Sequence, residues 1–413
     1  MRGAARRVFT LVFPTLLTAP LLGQESGADP ESSLSKGEFA RAVDEYLDAM
    51  EPLREPSAWD RLAARLALYG DLRLRGETSF RLPDDPPRSR MRLRLRLGAD
   101  YQATDELVVG ARLVTGSRTD SRSSHITLGD GFEELEFTLD RAYVTWRPDA
   151  WQPFWLTAGK FAPPFATNPV YGELAWDADV QPEGVLFGWR SEQTGFVESV
   201  ELLAGEYVLL EQALAEESYA TVVQLAGRAR LSATVRGGLA LGYTFYADPT
   251  PDGADDLLAK NNGNATEDTS GDGTDDSFVS DFGILNLIGD LSLDVRGAPL
   301  VLSAELLENP RAKVAEDSGW ALGIAWGRAA RAGDWRLSYQ FQRIERDAVF
   351  SLFAQDDFLF TTNHVSHMLG LNHQLGNGVG LHLWALVSHP EDPFPGESTD
   401  DQWRVRLDLN LKF

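Results

Sequence analysis

The sequence predicts an all-β protein, a transmembrane antiparallel β-barrel of about sixteen strands that follows a short helical segment. Three observations lead to this fold class. One stretch carries arginine at every second position, alternating segments follow one another from residue 69 to the end, and the connections between them alternate between short and long. A β-strand places alternate residues on opposite faces, so the first two observations predict strands with one polar and one apolar face. The third observation concerns the two ends of the barrel.

The stretch RSRMRLRLRLGADYQ, residues 88–102, shows two different faces most clearly. Its arginines run from Arg88 to Arg96 at alternate positions, and Met91 and three leucines fill the gaps. On a helix these arginines would encircle the axis, whereas on a strand they share one face. A lipid-facing arginine in mid-membrane costs about 2–4 kcal/mol, so the leucines are predicted to face lipid and the arginines water. A solvated face of a soluble sheet is the alternative for this stretch alone.

Sixteen strands are predicted from the alternation. One phase slip, between Leu139 and Ala142, predicts a β-bulge at Asp140–Arg141. The predicted strands are 69–82, 89–102, 105–117, 134–147, 154–161, 183–190, 196–210, 219–232, 235–247, 281–295, 299–308, 319–329, 333–346, 364–376, 378–388 and 401–413.

The connections alternate in length along the chain. Short turns such as ATDE, SATV and LGNG alternate with longer links at 118–133, 162–182, 248–280, 347–363 and 389–400. A soluble sandwich has no reason to collect its long loops at one end. Outer-membrane barrels of bacteria do so, with short periplasmic turns and longer external loops.

The N-terminus has the pattern of a secreted protein. Arg2, Arg6 and Arg7 precede the apolar run 8–22, which predicts a signal peptide over residues 1–23. Residues 24–68 are predicted to be a periplasmic helical segment, and residues 69–413 the barrel. The absence of cysteine excludes disulfides and thiolate sites. A net charge of −24 excludes a basic nucleic-acid-binding protein.

The last predicted strand alternates most regularly. Its apolar face ends in Leu409, Leu411 and Phe413, and the chain stops on that aromatic residue. A strand of this kind resembles the signal that the barrel-assembly machinery reads. We therefore expect this machinery and outer-membrane lipid to be partners of the chain.

Several ordered segments resemble the putative-porin family of Gram-negative outer membranes. They are GDLRLRGE at 70–77, the arginine strand, LDRAYVTWRP at 139–148, LTAGKFAPPF at 156–165 and ELAWDADVQPEGV at 173–185. The resemblance implies a water-filled channel for passive diffusion of small hydrophilic solutes or ions, not an enzyme. By analogy with general porins it also implies a homotrimer.

The third external loop, 162–182, is the predicted constriction, because this loop folds into the barrel in general porins. Acids on a loop that faces bases on the wall would set a field across the pore. The acids are Glu173, Asp177 and Asp179, with Glu183 just after the loop. The predicted basic wall comprises Arg73, Arg75, Arg92, Arg94, Arg96 and Arg112. The alternative, which is compatible with the first, is that these arginines pair with neighbours such as Glu77, Glu134 and Glu136.

The loop 248–280 carries nine acids and one lysine. Its candidate calcium ligands are Asp268, Asp272, Asp275 and Asp276, since calcium prefers oxygen ligands. No glutamate stands where a defined calcium loop needs one, which favours a solvated acidic loop. No other cofactor is expected.

Two other function classes stay open. A barrel hydrolase would need a dyad such as His364 with Asp356 or Asp357, but no G-x-S-x-G element occurs. A structural or adhesion barrel would be closed by its own loops. His364 and His367 should point to opposite faces of one strand, which argues against a shared metal.

Overall fold

The computed structural model describes residues 37, 41, 44, 45, 57–80, 86–193, 195–211, 218–250, 255–393 and 398–413. The predicted signal peptide and most of the predicted helical segment lie outside the described residues. The chain divides into two compact units, residues 1–61 and 62–413.

A helix directly precedes the first strand. Helix α1 (Ala58–Arg65) begins with a capping box, because the Asp60 amide donates to Ser57 Oγ at 3.1 Å and the Ser57 amide donates to the Asp60 carboxylate at 2.9 Å. The first strand starts at Leu66, three residues before the predicted boundary at 69. Among the residues that the structure describes, no helix is both long enough and apolar enough to span a membrane.

Sixteen long antiparallel strands form one closed sheet in the described part of the chain, and the two-residue strand Ile126–Thr127 pairs with the second of them. Each strand pairs with its neighbours in sequence, and the first strand pairs with the last from Asp71 opposite Lys412 to Phe80 opposite Trp403. The strands are β1 (Leu66–Phe80), β2 (Arg88–Gln102), β3 (Leu107–Thr115), β4 (Phe137–Trp146), β5 (Phe154–Lys160), β6 (Glu183–Glu192), β7 (Val197–Leu210), β8 (Ser218–Arg230), β9 (Val235–Ala247), β10 (Phe282–Val295), β11 (Ala298–Glu308), β12 (Ser318–Gly327), β13 (Trp335–Ile344), β14 (His364–Gly376), β15 (Val379–Pro390) and β16 (Gln402–Lys412). The predicted sixteen-stranded barrel is confirmed.

The two faces of the sheet differ as the alternation predicts. On β2, Met91 is 55 % exposed and Leu97 is 42 % exposed, whereas Arg94, on the other face, is 7 % exposed. Apolar side chains therefore cover the outside of the barrel, which is the surface that a lipid environment requires.

A β-bulge lies at the predicted position. Arg112 of β3 pairs with Arg141 of β4, but the next residue, Leu113, pairs with Leu139. Asp140 is the extra residue. It shifts the phase of β4 by one position, so that Leu139 and Ala142 both point outward.

The connections divide between the two ends of the barrel as predicted. One end has only short turns, at 103–106, 147–153, 193–196, 231–234, 296–297, 328–334 and 377–378. The turn Arg296–Gly297 has φ values of +55° and +80°, the conformation that joins two strands through a two-residue turn. The other end carries eight loops, which the prediction places on the external side, and the longest are the second (116–136), third (161–182), fifth (248–281) and seventh (345–363).

Candidate functional site

The arginines of β1, β2 and β16 share the inner face of the barrel with a set of carboxylates. Arg75 donates to Asp408 through two hydrogen bonds, from Nε at 2.7 Å and from Nη2 at 2.9 Å. Arg406 donates from Nε to Glu77 at 2.5 Å, and Glu77 also accepts from Arg90 at 2.6 Å. The Arg75–Asp408 and Arg406–Glu77 pairs join the first and last strands, and the two-pronged Arg75–Asp408 pair holds both partners in a fixed orientation.

We call the inward-facing arginines 73, 75, 90, 92, 94, 96 and 112 the arginine ladder, and further members of it form ion pairs. Arg94 donates to Asp71 at 2.8 Å, and Arg96 pairs with Asp179 of the third loop. Arg112 donates from Nε to Asp140, the bulge residue, at 2.6 Å. The ladder therefore meets acids from its own wall and from a loop.

Two acids that we weighed as partners of the ladder lie elsewhere. Glu136 lies 3.9 Å from the exposed Arg118, and Glu134 forms no ion pair with the ladder among the described residues. Sequence analysis also missed Arg404, Arg406 and Asp408. Their alternation on the last strand, together with closure of β16 onto β1, would have placed them beside the ladder.

Two arginines of the ladder lack a close carboxylate. Arg73 donates from Nε to Asn410 Oδ1 at 2.6 Å, and its nearest carboxylate oxygen, on Asp408, is 3.9 Å away. Arg92 donates to Ser123 Oγ at 3.0 Å, and its buried Nε has no acceptor among the described residues. At these two positions, therefore, no carboxylate of the described residues lies within hydrogen-bond distance to neutralise the positive charge of the wall.

The third loop crosses the interior of the barrel. Its Ala166 exchanges two hydrogen bonds with Gln224 of β8, at 2.7 and 3.0 Å. Its Pro169 carbonyl accepts from Arg336 of β13 at 2.8 Å. Its Asp179 accepts from Ser124 Oγ of the second loop at 2.9 Å and pairs with β2. A segment that touches the inner faces of β8, β13 and β2 can only lie inside the barrel.

The acids of the third loop differ in their surroundings. Burial alone would raise the pKa of Asp179, but the guanidinium groups of Arg96 and Arg94 hold it below its usual value. Burial and the nearby carboxylates raise the pKa values of Glu173 and Asp177 well above their usual range. Asp179 is therefore the acid of this loop that is held as an anion against the ladder.

Glu183 does not join the other three acids. It begins β6 on the same outward face as Val185, and it accepts a hydrogen bond from Lys160 Nζ at 2.6 Å. The expectation that it faces the arginines does not hold, because strand parity turns it away from them.

The seventh loop also lies inside the barrel, which sequence analysis did not predict. The Asp177 amide donates to the Phe353 carbonyl at 2.7 Å, and Trp176 stacks on Phe353 with ring centroids 5.8 Å apart. Tyr171 donates to Asp357 at 3.2 Å, and Asp357 pairs with Arg406. The phenylalanines at 350, 353 and 358 in an otherwise external loop were the available signal.

The interior thus has an apolar side and a charged side. Side chains of the third, fifth and seventh loops pack against the inner faces of β6 to β15 in one buried cluster. The cluster includes Leu174 from the third loop, Phe278 from the fifth, Phe350 from the seventh, and Phe282 and Met368 from the wall. The opposite side, from β16 to β4, carries the arginines and their acids.

A cavity of about 580 Å³ opens between the second loop and the walls of β3 and β4. Five of its lining residues are acids and two are bases, and Glu183 and Lys160, on the outer face of the wall, pair with each other, so acidic side chains predominate in the cavity. The acids are Asp120, Glu136, Asp140, Asp179 and Glu183, and the bases are Arg118 and Lys160.

The candidate calcium residues of the fifth loop accept hydrogen bonds from the loop itself. Asp268 accepts from the amides of Gly271 and Gly273 at 2.6 and 2.7 Å. Asp276 accepts from the Thr269 hydroxyl at 2.6 Å and from two amides, which lowers its pKa to about 2. Asp272 accepts from the Thr274 amide, and Asp275 from the Thr266 hydroxyl. No group of three or more metal-binding side chains occurs in the described part of the chain.

His364 and His367 of β14 point to opposite faces, as predicted. His364 is buried inside, with Nε2 at 3.2 Å from Gln342, while His367 lies outside, with Nδ1 at 2.8 Å from the Tyr339 hydroxyl. Asp357, the candidate partner of His364 in a hydrolase, is instead paired with Arg406. The described side chains do not bring the candidate dyad together.

Comparison with known proteins agrees with the architecture. Residues 84–204 match a family model described as putative porin, which confirms the resemblance predicted from the ordered segments. Among solved structures, the chain is similar to OprB of Pseudomonas putida, at 12 % identity and a TM-score of 0.58, over 91 % of this chain and 97 % of that one. It is also similar to OmpF of Salmonella typhi in complex with daunomycin, at 11 % identity and a TM-score of 0.50, over 84 % and 97 % of the two chains. No curated protein matches the chain. At these identities the structural likeness establishes the fold.

Proposed function

We propose, from the chain's match to the putative-porin family over residues 84–204, that it forms an outer-membrane channel for passive diffusion. Small hydrophilic solutes and ions would cross it through a water-filled path beside the arginines. The closed sixteen-stranded barrel supports this proposal, since a barrel of that size is wide enough for an aqueous lumen.

The observation that carries the proposal is the contact of Asp179 with Arg96 and Arg94. It anchors the third loop to the ladder at 3.8 Å or closer, inside the barrel. The loop would thereby narrow the path, and acids of the loop would face bases of the wall. Such a constriction orients dipolar solutes and filters ions by charge.

The proposed channel has a weak preference for anions. Guanidinium groups stay charged at any working pH, and charge in a narrow, partly dehydrated passage is screened less than on an open surface. Asp71, Asp179 and Asp408 offset much of the positive charge, so the preference is weak. The acidic external cavity opposes it, but the narrowest point carries most of the resistance.

Planar bilayers test the proposal. Purified protein should insert and conduct in stepwise increments in potassium chloride, and a salt gradient should give a small reversal potential of the sign expected for anions. A protein that inserts but never conducts would contradict the channel.

The second candidate is a structural barrel closed by its loops. The observation in its favour is the buried cluster to which the third, fifth and seventh loops all contribute, since it fills one side of the interior. The same bilayer recording separates the two candidates, because a closed scaffold does not conduct.

The proposal includes the location and the partners. The outward-facing leucines would contact outer-membrane lipid, and Leu409, Leu411 and Phe413 would be read by the barrel-assembly machinery. A homotrimer is proposed by analogy with general porins. Cross-linking in the native membrane and sizing in mild detergent test that state.

A further inference from the structure

A cavity of about 440 Å³ lies at the turn end of the barrel, lined by β14, β15, β16, β1 and the turn before β13. We call it the periplasmic chamber. Aspartate and glutamate are absent from its lining. Its polar lining consists of Arg73, Asn372, Gln374, His382, Asn410 and Lys412, together with His373 and backbone of the turns.

Arg73 has donors available to the chamber. Its Nε is engaged by Asn410, but among the described residues its two Nη groups have no hydrogen-bond acceptor. Asp408 lies nearest at 3.9 Å, and both oxygens of that carboxylate already accept hydrogen bonds from Arg75. The side chain of Arg73 is 22 % exposed, so these donors are in contact with solvent.

Lys412 adds a second positive charge. It is exposed and forms no ion pair in the part of the chain that the structure describes. Asp71 stands opposite it in the sheet, but the Asp71 carboxylate accepts hydrogen bonds from Arg94. The amide of Asn372, from β14, offers an uncharged donor beside these two cations.

The chamber therefore differs from the rest of the charged side. Arg75, Arg94, Arg96 and Arg406 each contact a carboxylate at 2.9 Å or less, which leaves them little capacity for a solute. The external cavity is dominated by acids. Among the described residues, Arg73 and Lys412 thus place two cations without a close carboxylate side by side at the periplasmic side.

We propose that the periplasmic chamber is a binding subsite for the carboxylate or phosphate group of a small hydrophilic solute. The guanidinium of Arg73 presents a planar pair of donors that matches either oxyanion, and Lys412 adds a mobile point charge. The subsite rests on the proposed channel function and deepens it, because it names the class of solute that is retained after the constriction.

The test uses inorganic phosphate and acetate as separate probes, added to the turn side of bilayers that hold the full chain at constant ionic strength. Each probe should reduce single-channel conductance in a saturable manner, and their relative strengths distinguish phosphate from carboxylate solutes. Arg73→Gln should raise the half-blocking concentration by about tenfold, as loss of a charge-assisted hydrogen bond implies. Arg73→Lys keeps the charge without the fork and should give an intermediate value.

Arg236→Gln is the matched control. Arg236 faces inward on β9, is paired with Glu198 at 3.3 Å, and loses the same charge when changed. Its half-blocking concentration should stay at the wild-type value. An equal rise in both variants would show a general field effect and overturn the subsite.

Conductance in potassium chloride separates failure of the subsite from failure of the channel. A conducting protein whose conductance shows no saturable block overturns the subsite alone. A protein that does not conduct overturns the channel, and calorimetric titration of the detergent-solubilised chain with phosphate then decides the subsite. Heat released by the wild type and lost in Arg73→Gln would support it, and no heat in either would overturn it.

Discussion

Single residues on β2 show how one strand serves two environments. Arg94 is held inside by Asp71, while Leu93 and Leu95 alternate with it on the other face. This assignment could be predicted from the sequence, because alternation is a local property of a strand. The partners could not, since Asp71 and Asp179 reach Arg94 from different parts of the chain.

Changing Arg94 and Arg96 together to Glu should move the reversal potential toward cation selectivity while the barrel still assembles. Two positive charges at the constriction become negative. The new carboxylates also repel Asp179, which adds to the shift in selectivity. The measurement is the reversal potential in a salt gradient, with heat-modifiable gel migration as the assembly readout.

The matched change is Leu93 and Leu95 to Glu, which should prevent assembly. Charged residues on the lipid face are destabilising at the membrane centre. If the leucine variant assembles with altered selectivity and the arginine variant fails to assemble, the two faces have been assigned in reverse.

At the scale of elements, strands were predictable and loops were not. The phase slip at Asp140 revealed the bulge because it breaks a local pattern. The contact between Asp177 and Phe353 joins two loops far apart in sequence, so no local pattern reveals it. Glu183, by contrast, could have been placed from a local pattern. The alternation of β6, extended to its first residue, puts Glu183 on the outer face.

The seventh loop should be held more firmly at low pH than at neutral pH. Burial and the adjacent Asp357 raise the pKa of Asp356 to about 6. Because this pKa is raised, holding Asp356 inward as a carboxylate costs free energy. The cost is absent below the ordinary pKa of aspartate and grows as the pH rises through about 6. Hydrogen exchange of residues 345–363 should therefore be faster at pH 7.5 than at pH 5, after correction for intrinsic rates.

Asp356→Asn should remove the part of this pH dependence that Asp356 causes. Arg406 and Arg122 also face Asp356, and the pKa values of Glu173 and Asp177 are raised too, so a residual dependence is expected. Asp272→Asn, in the exposed fifth loop, is the control. An unchanged profile in Asp356→Asn would exclude this carboxyl as the cause.

The acidic turn of the fifth loop should not bind calcium specifically. Asp268 and Asp276 already accept hydrogen bonds from their own loop, which uses the oxygens that a cation would need. Calcium should therefore shift the melting temperature of the wild type and of a variant with Asn at 268, 272, 275 and 276 equally. A larger shift in the wild type would establish the calcium site instead.

At the scale of the whole molecule, ion pairs between β1 and β16 add to the backbone pairing that closes the barrel. Asp408 is fully buried beside Arg75, and removing one partner of such a pair typically costs about 3–5 kcal/mol. Asp408→Asn should thus lower the temperature at which the folded barrel converts to the slower-migrating form on gels.

A double variant with Arg75→Met and Asp408→Leu should recover much of the lost stability, because no unpaired charge remains. If Asp408→Asn melts like the wild type, the pair does not stabilise closure.

The charged side chains of β1 and β16 also favour one register of the two strands. In the observed register Arg75 faces Asp408 and Glu77 faces Arg406, so both charged pairs attract. Sliding β16 by two residues, which keeps every side chain on its own face, would set Arg75 against Arg406 in one direction and Glu77 against Asp408 in the other. The first error would still form the attracting pairs Arg73–Asp408 and Glu77–Arg404, whereas the second would also set Arg73 against Lys412. The observed register, in which Asp71 also faces Lys412, has more attracting pairs than either error, and charge at the seam opposes the second error most strongly.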